Sequence, residues 1–334
     1  MPYVRSAPII VIGEALVDCF PDALVAGGAP FNVARNLGAF GAAPVMVTRI
    51  GSDERGQLLL AECGRFNLSL EGVQRDAILP TGQVAVMPDG ATHKFIIGEN
   101  VAWDAIDHLL AADIFQRLQP SIVCFGTLAQ RAAQSRAAIA IVLEQARKAG
   151  ALRVLDLNLR SGAANADVAE WSLLHADIAK VNDDELAQLF DWFLPKSTAA
   201  AREWNTDAEA RLIGLLLEKF PLRHLIVTRG GNGYSAYDSN ATLVAAGPCH
   251  ATTITDTVGA GDAFTAAVIL GEWLGWPLLE SLDRANQFAA DVCTVRGAVA
   301  KDPHFYERWA SRWQLANARR SAGLNDSLRA RSNC

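Results

Sequence analysis

Short apolar runs alternate with longer amphipathic stretches along most of this chain, the rhythm of strands that each feed a helix. Four consecutive apolar residues at 9–12 predict a buried strand, and residues 29–40, with Pro30 near the start and Gly41 beyond the end, predict a helix. Residues 45–50 predict a second strand. From residue 121 the pattern becomes strand, helix, strand: 121–125, an amphipathic 131–149 stopped by Gly150, then 152–157. Strands at 178–181 and 224–228, with helices at 183–190 and 208–220 between them, extend this into a mostly parallel sheet covered by helices on both faces. Residues 191–205, which hold Pro195, predict an irregular surface excursion. Between Gly82 and Gly98, two alternating runs flank Pro88, Asp89 and Gly90, which is turn chemistry for a hairpin and suits a small lid. No repeat or linker interrupts the chain, so residues 1–315 read as one α/β unit and residues 316–334 as a polar, frayed tail.

Composition narrows the partners. Of 334 residues, 51% are hydrophobic and 20% charged, enough to bury a large core. Thirty Lys and Arg against thirty-six Asp and Glu leave a net charge of −6, so no global basic field draws in nucleic acid or anionic lipid. Any polyanionic ligand must be held locally, by backbone N–H groups, a few basic side chains and metal ions. The six cysteines are scattered, without CxxC or zinc-ligand spacing, and read as buried thiols of a reducing compartment. The apolar run near the N-terminus is broken by Gly13 and Glu14, and no stretch reaches about 18 uninterrupted apolar residues, so a cytoplasmic location is expected.

The chemistry concentrates in DTVGAGDAF, residues 256–264, where Gly259, Ala260 and Gly261 lead into a long apolar helix. Small residues at a helix N-terminus let several amides point at one spot, which suits an anion or a developing negative charge. Asp262 in that first turn fits either a helix-capping carboxylate or a base that takes a proton from an attacking hydroxyl. Rival phosphate motifs are absent: there is no GxxxxGK[ST], and Phe264 stands where a dinucleotide fingerprint needs its third glycine.

The string at 256–264, together with GGAPFNVARNLGAFGAAPVMVTRIG at 27–51, resembles the two signatures of the ribokinase-like, or PfkB, carbohydrate kinases. The resemblance covers roughly residues 9–310 and implies a three-layer α/β fold with a small β-sheet lid, its strands within about 14–28 and 82–100. It implies ATP as phosphoryl donor, with Asp262 as base and the amides of Gly259, Ala260 and Gly261 as anion hole. It places Asp18, Gly27, Gly28 and Asn32 on the sugar, although a glycine turn and a solvated helical Asn would look alike. Arg160, ending DLNLR, is the candidate phosphate clamp, against a plain solvent-facing Arg. Asn182 and Glu185 resemble the NxxE element near the triphosphate and its hydrated Mg2+, and equally resemble an N-cap with an acidic first turn. Thr228, Gly230 and Gly233 match a nucleotide loop, and Asn286 a position bordering adenine. Asp256, with residues 296–300, resembles a monovalent-cation loop, where K+ would order the anion hole.

The pairing of GGAPFNVA with ENVAWD looks most like the fructokinase branch, making fructose to fructose 6-phosphate the expected reaction. Kinases of 2-keto-3-deoxygluconate, ribose or a nucleoside stay open, as does a non-catalytic sugar-binding regulator on the same fold. A homodimer paired through the lid strands is the further expectation.

Overall fold

The computed structural model describes residues 7–89, 92–160, 165–195, 206–251 and 253–316. Its main sheet runs, from one edge to the other, β13 (Leu243–Gly247), β12 (Tyr234–Asp238), β11 (His224–Thr228), β10 (Ile178–Asn182), β9 (Leu152–Asp156), β8 (Ile122–Gly126), β1 (Ile9–Ile12), β4 (Val45–Gly51) and β5 (Val73–Asp76). Every pairing from β11 to β5 is parallel, and β12 pairs antiparallel with both β11 and β13. Parallel strands need long crossovers, and the helices that supply them bury both sheet faces.

Strand periodicity divides the core in two. Ile9, Val11, Ile122, Val154 and Ile178 face one side, where they pack with α1 (Ala29–Ala39), α2 (Glu54–Arg65), α8 (Ala260–Leu274), α9 (Leu278–Val292) and α10 (Pro303–Arg312). Ile10, Ile12, Val123, Leu155 and Val181 face the other, against α3 (His108–Leu118), α4 (Ala133–Ala149), α5 (Ala166–Leu174), α6 (Asp183–Phe193) and α7 (Thr206–Lys219). Consecutive residues thus serve opposite layers, which is why these strands read as unbroken apolar runs.

A second sheet, ordered β3 (Leu24–Gly27), β2 (Leu16–Cys19), β6 (Gly82–Asp89) and β7 (Thr92–Ile97), departs from the carboxyl end of β1. Only Gly13, Glu14 and Ala15 separate β1 from β2, so the smaller sheet stands beside the carboxyl edge of the larger. It is anchored there by close packing: a Cβ on Gly82 would lie 2.1 Å from Trp103 Nε1.

Several boundaries differ from the sequence reading. Asp89 pairs with Thr92 and Pro88 with His93, so both belong to the ladder, and Gly90 and Ala91 lie outside the described residues. Arg131 precedes α4 rather than opening it: it closes a 3-10 turn (Leu128–Arg131), pairs with Asp104 at 2.8 Å and stacks over Trp103. The helix read to residue 190 continues through Phe193, because Phe190 and Phe193 both have apolar surface to bury against Phe220 and its neighbours. The excursion expected at 191–205 therefore starts later, and its residues 196–205 lie outside the described ones, as do residues 317–334 of the tail.

Candidate functional site

The loop before α8 is built by close backbone packing. Gly259 has φ +81° and a Cβ there would sit 2.4 Å from Ala298 Cα, so only glycine fits both the conformation and the space. Asp256 ties the same loop down: its Oδ1 accepts the Val258 N–H at 3.0 Å and its Oδ2 the Gly297 N–H at 2.9 Å. Both oxygens of the side chain that the resemblance assigns to a monovalent cation are therefore engaged in holding the backbone.

Of the three amides expected in the anion hole, one is already in use. The Ala260 N–H donates to the Thr257 carbonyl at 3.3 Å. Among the described residues the N–H groups of Gly259, Gly261 and Asp262 have no backbone partner, as first-turn amides do not. The open amides are thus Gly259, Gly261 and Asp262 itself, a set shifted from the sequence reading because a turn bond at Thr257 consumes the middle donor.

Asp262 faces the cavity from the first turn of α8. Its Oδ2 accepts the Asn32 Nδ2 hydrogen bond at 2.7 Å, joining two segments 230 residues apart. Asn32 is itself held, since its Oδ1 accepts from Arg35, whose guanidinium also reaches Glu62 Oε2 and the Ala26 carbonyl, each at 2.8 Å. Burial, then the nearby Asp156 carboxylate, pushes the Asp262 carboxyl up to about 6, against the lowering pull of Asn32, Lys180 and Arg160. Asp18 is likewise raised to about 6 by burial, and Glu14 to about 7 by burial, with Arg160 opposing both.

One cavity of about 570 Å3 gathers most of the predicted residues. Toward the small sheet it is lined by Asp18, Gly28, Asn32 and Arg160, with apolar walls from Leu16, Val84 and Ile97. Gly27 is not part of this lining, but its missing Cβ leaves room for Asp18, whose Oδ2 lies 2.5 Å from where that atom would be. Toward the other end lie Asn182, Glu185, Thr228, Gly230, Gly233 and Asn286. Asn182 and Glu185 form a reciprocal capping box at the start of α6, and Glu185 Oε1 also accepts the Leu159 N–H at 2.8 Å. The carboxylate thus caps a helix and also lines the cavity. Asn286 is buried rather than a solvated helical residue, and its Nδ2 donates to the Pro248 carbonyl at 2.7 Å. Arg160 is solvent-exposed at the cavity mouth.

Sequence reasoning missed Lys180 and Glu14. Lys180 lines the cavity and pairs with Asp156 Oδ1 at 2.8 Å; a lysine within an otherwise apolar buried strand was the available signal. Glu14 is 2% exposed with its Oε2 unpartnered, and its signal was a carboxylate directly after an apolar strand. No helix among the described residues is long and apolar enough to cross a membrane.

The pattern of the pfkB family carbohydrate kinases matches residues 11–304. The fructokinase of Klebsiella pneumoniae is 28% identical over 329 residues, covering 90% of this chain and 97% of that one. An uncharacterized sugar kinase of Pyrococcus horikoshii, solved in complex with ATP, has a TM-score of 0.70 at 27% identity over 87% of this chain and 93% of its own. A fructokinase of Xylella fastidiosa with bound ATP shares the fold, with a TM-score of 0.74 at 22% identity over 93% of this chain and all of its own.

Proposed function

Because this chain belongs to the pfkB family of carbohydrate kinases, we propose that its substrate is fructose and its product fructose 6-phosphate, with Asp262 as the base. ATP-dependent phosphorylation of a carbohydrate is the activity of the family; the choice of fructose is supported by fructokinases among the relatives aligned over nearly the whole chain. The observation that carries the site reading is the Asn32–Asp262 hydrogen bond, which brings the two signatures onto one wall of one cavity.

In this reading the sugar occupies the end near Asp18, Asn32 and Arg160, and the nucleotide the end near Thr228, Gly233 and Asn286. Asp262, kept ionised at neutral pH, accepts the proton of the attacking hydroxyl, and the open amides of Gly259 and Gly261 face the charge that develops on the phosphoryl oxygens. Asn32 orients the base, and Asp18 fixes the sugar by accepting from its hydroxyls. Glu185 is the residue that would hold Mg2+ through water; its oxygens keep lone pairs beyond those that accept N–H groups, and Mg2+ retains waters in such sites and neutralises phosphate charge. The smaller sheet, lining the same cavity, is placed to exclude water when both ligands are bound.

The test is ADP release with fructose, 2-keto-3-deoxygluconate, ribose and a nucleoside. Fructose is expected to give a kcat/KM at least about 10-fold above the others, a margin of roughly 1.4 kcal/mol in transition-state binding. Another sugar in that place overturns the substrate, and sugar binding without ADP release overturns the kinase reading in favour of a regulator. Asp262→Asn is expected to lower kcat by about 100-fold or more, with the nucleotide KM little changed. The small sheet also carries a proposed dimer: its outer strands β3 and β7 bear the exposed Leu24 and Ile96, and light scattering should find twice the 35.8 kDa chain mass.

A further inference from the structure

We propose that Asp156 and Lys180 are positioning residues of the transfer step: their buried ion pair clamps, through Thr265, the first turn of the helix that carries Asp262, and fixes the charge at the foot of the amide loop. The inference rests on Asp262 being the base. Lys180 and Asp156 are register neighbours on the parallel strands β10 and β9, so the sheet itself sets them side by side. Lys180 Nζ donates to Asp156 Oδ1 at 2.8 Å, and the Thr265 hydroxyl donates to the other oxygen, Oδ2, at 2.7 Å. Thr265 Oγ1 also lies 3.0 Å from the Gly261 carbonyl, one helical turn back in α8. The ammonium lies beside the same loop: a Cβ on Gly261 would sit 3.1 Å from Lys180 Nζ, so the position has little room for a side chain.

Such a pair is costly to bury, and its worth to stability alone is small, because two well-packed apolar residues would serve as well. Its two charges act on the base with opposite sign: Asp156 raises the Asp262 carboxyl and Lys180 lowers it. The other charged groups that face Asp262 are Arg160 after β9, Glu14 after β1, Asp18 on β2 and Arg35 on α1. Of these, Glu14 is itself raised by Asp156 and so responds to substitution there; repeating each variant in a Glu14→Gln background assigns the shift in the acid limb to Asp262.

The experiment is the pH profile of kcat/KM for the free sugar substrate at saturating ATP, in the wild type, Asp156→Asn, Lys180→Met and the double variant. Asp156→Asn is expected to move the acid limb to lower pH and Lys180→Met to higher pH, each by roughly one unit, with kcat reduced about 10- to 100-fold and the ATP KM within about 3-fold. The double variant leaves no uncompensated buried charge and is therefore expected to fold at least as well as Lys180→Met. Its limb should return close to that of the wild type while kcat stays reduced. Coincident limbs in all variants, or full turnover in the double variant, would overturn the proposal and reduce the pair to a packing feature. Failure of the base assignment shows separately, as near-normal turnover in Asp262→Asn, and takes this proposal with it.

Discussion

Gly27 shows how little space a single atom leaves beside Asp18, at the end of the cavity proposed for the sugar. A methyl group there would meet Asp18 Oδ2 at 2.5 Å, so Gly27→Ala must displace the carboxylate. The expected result is a rise of about 10-fold in the sugar KM with the ATP KM unchanged, measured by steady-state kinetics over both substrates; this corresponds to about 1.4 kcal/mol of lost binding. As the proposed base, Asp262 is expected to set the pH dependence. Its carboxyl is raised to about 6 from 3.8, and the base must be ionised, so kcat/KM should fall about tenfold per unit as pH drops below 6 and level off above 7. The sign follows from the direction of the shift: an unperturbed Asp would stay active down to pH 4, and a profile flat to that point would remove Asp262 from the base role.

At the scale of elements, α10 supports the site without touching it. Trp309 and Trp313 pack on each other and on Phe288 of α9, and Phe40 at the end of α1 joins the same cluster. Since α1 carries Asn32, the aromatic cluster braces the helix whose Asn32 donates to Asp262. Trp309→Ala is expected to cost about 3–5 kcal/mol, read by denaturant unfolding, while kcat in the folded fraction changes little. The loop ahead of α8 behaves oppositely. Gly259→Ala forces a Cβ to within 2.4 Å of Ala298 Cα, and its effect should be a loss of kcat of about 100-fold from misplacement of the amides.

The whole molecule presents two sheets to one cavity, the large one through the ends of its strands and the small one through Leu16, Asp18, Val84 and Ile97. A ligand that touches both couples their stability. Fructose at 100 times its Kd should stabilise the protein by about 2.7 kcal/mol, seen as a rise in Tm, and adding a non-hydrolysable ATP analogue should raise it further. An unchanged Tm at that concentration would exclude the cavity as the fructose site.

The alternation of apolar and amphipathic segments was sufficient to define β1, β4, β8, β9, β10 and β11, the helices α1, α4, α6 and α7 and the glycine-led start of α8, because each depends on residues close in sequence: strand period, caps and turn chemistry; β5, β12, β13, α2, α3 and α5 carried no such reading. Arg131 and Phe193 mark the limit of that reading, since a helix end moves by a turn when distant packing rewards it. The two signatures were likewise legible, yet nothing local said that Asn32 would donate to Asp262 across 230 residues, that Ala260 would lose its amide to Thr257, or that Lys180 would lie under Gly261. Those contacts are products of strand register and helix docking. The chain alone therefore determined which elements form and which residue types carry the chemistry. Only tertiary structure decided which amides stay open and which charges face Asp262, because hydrogen bonds and Coulomb interactions depend on distances that exist only once the layers have packed.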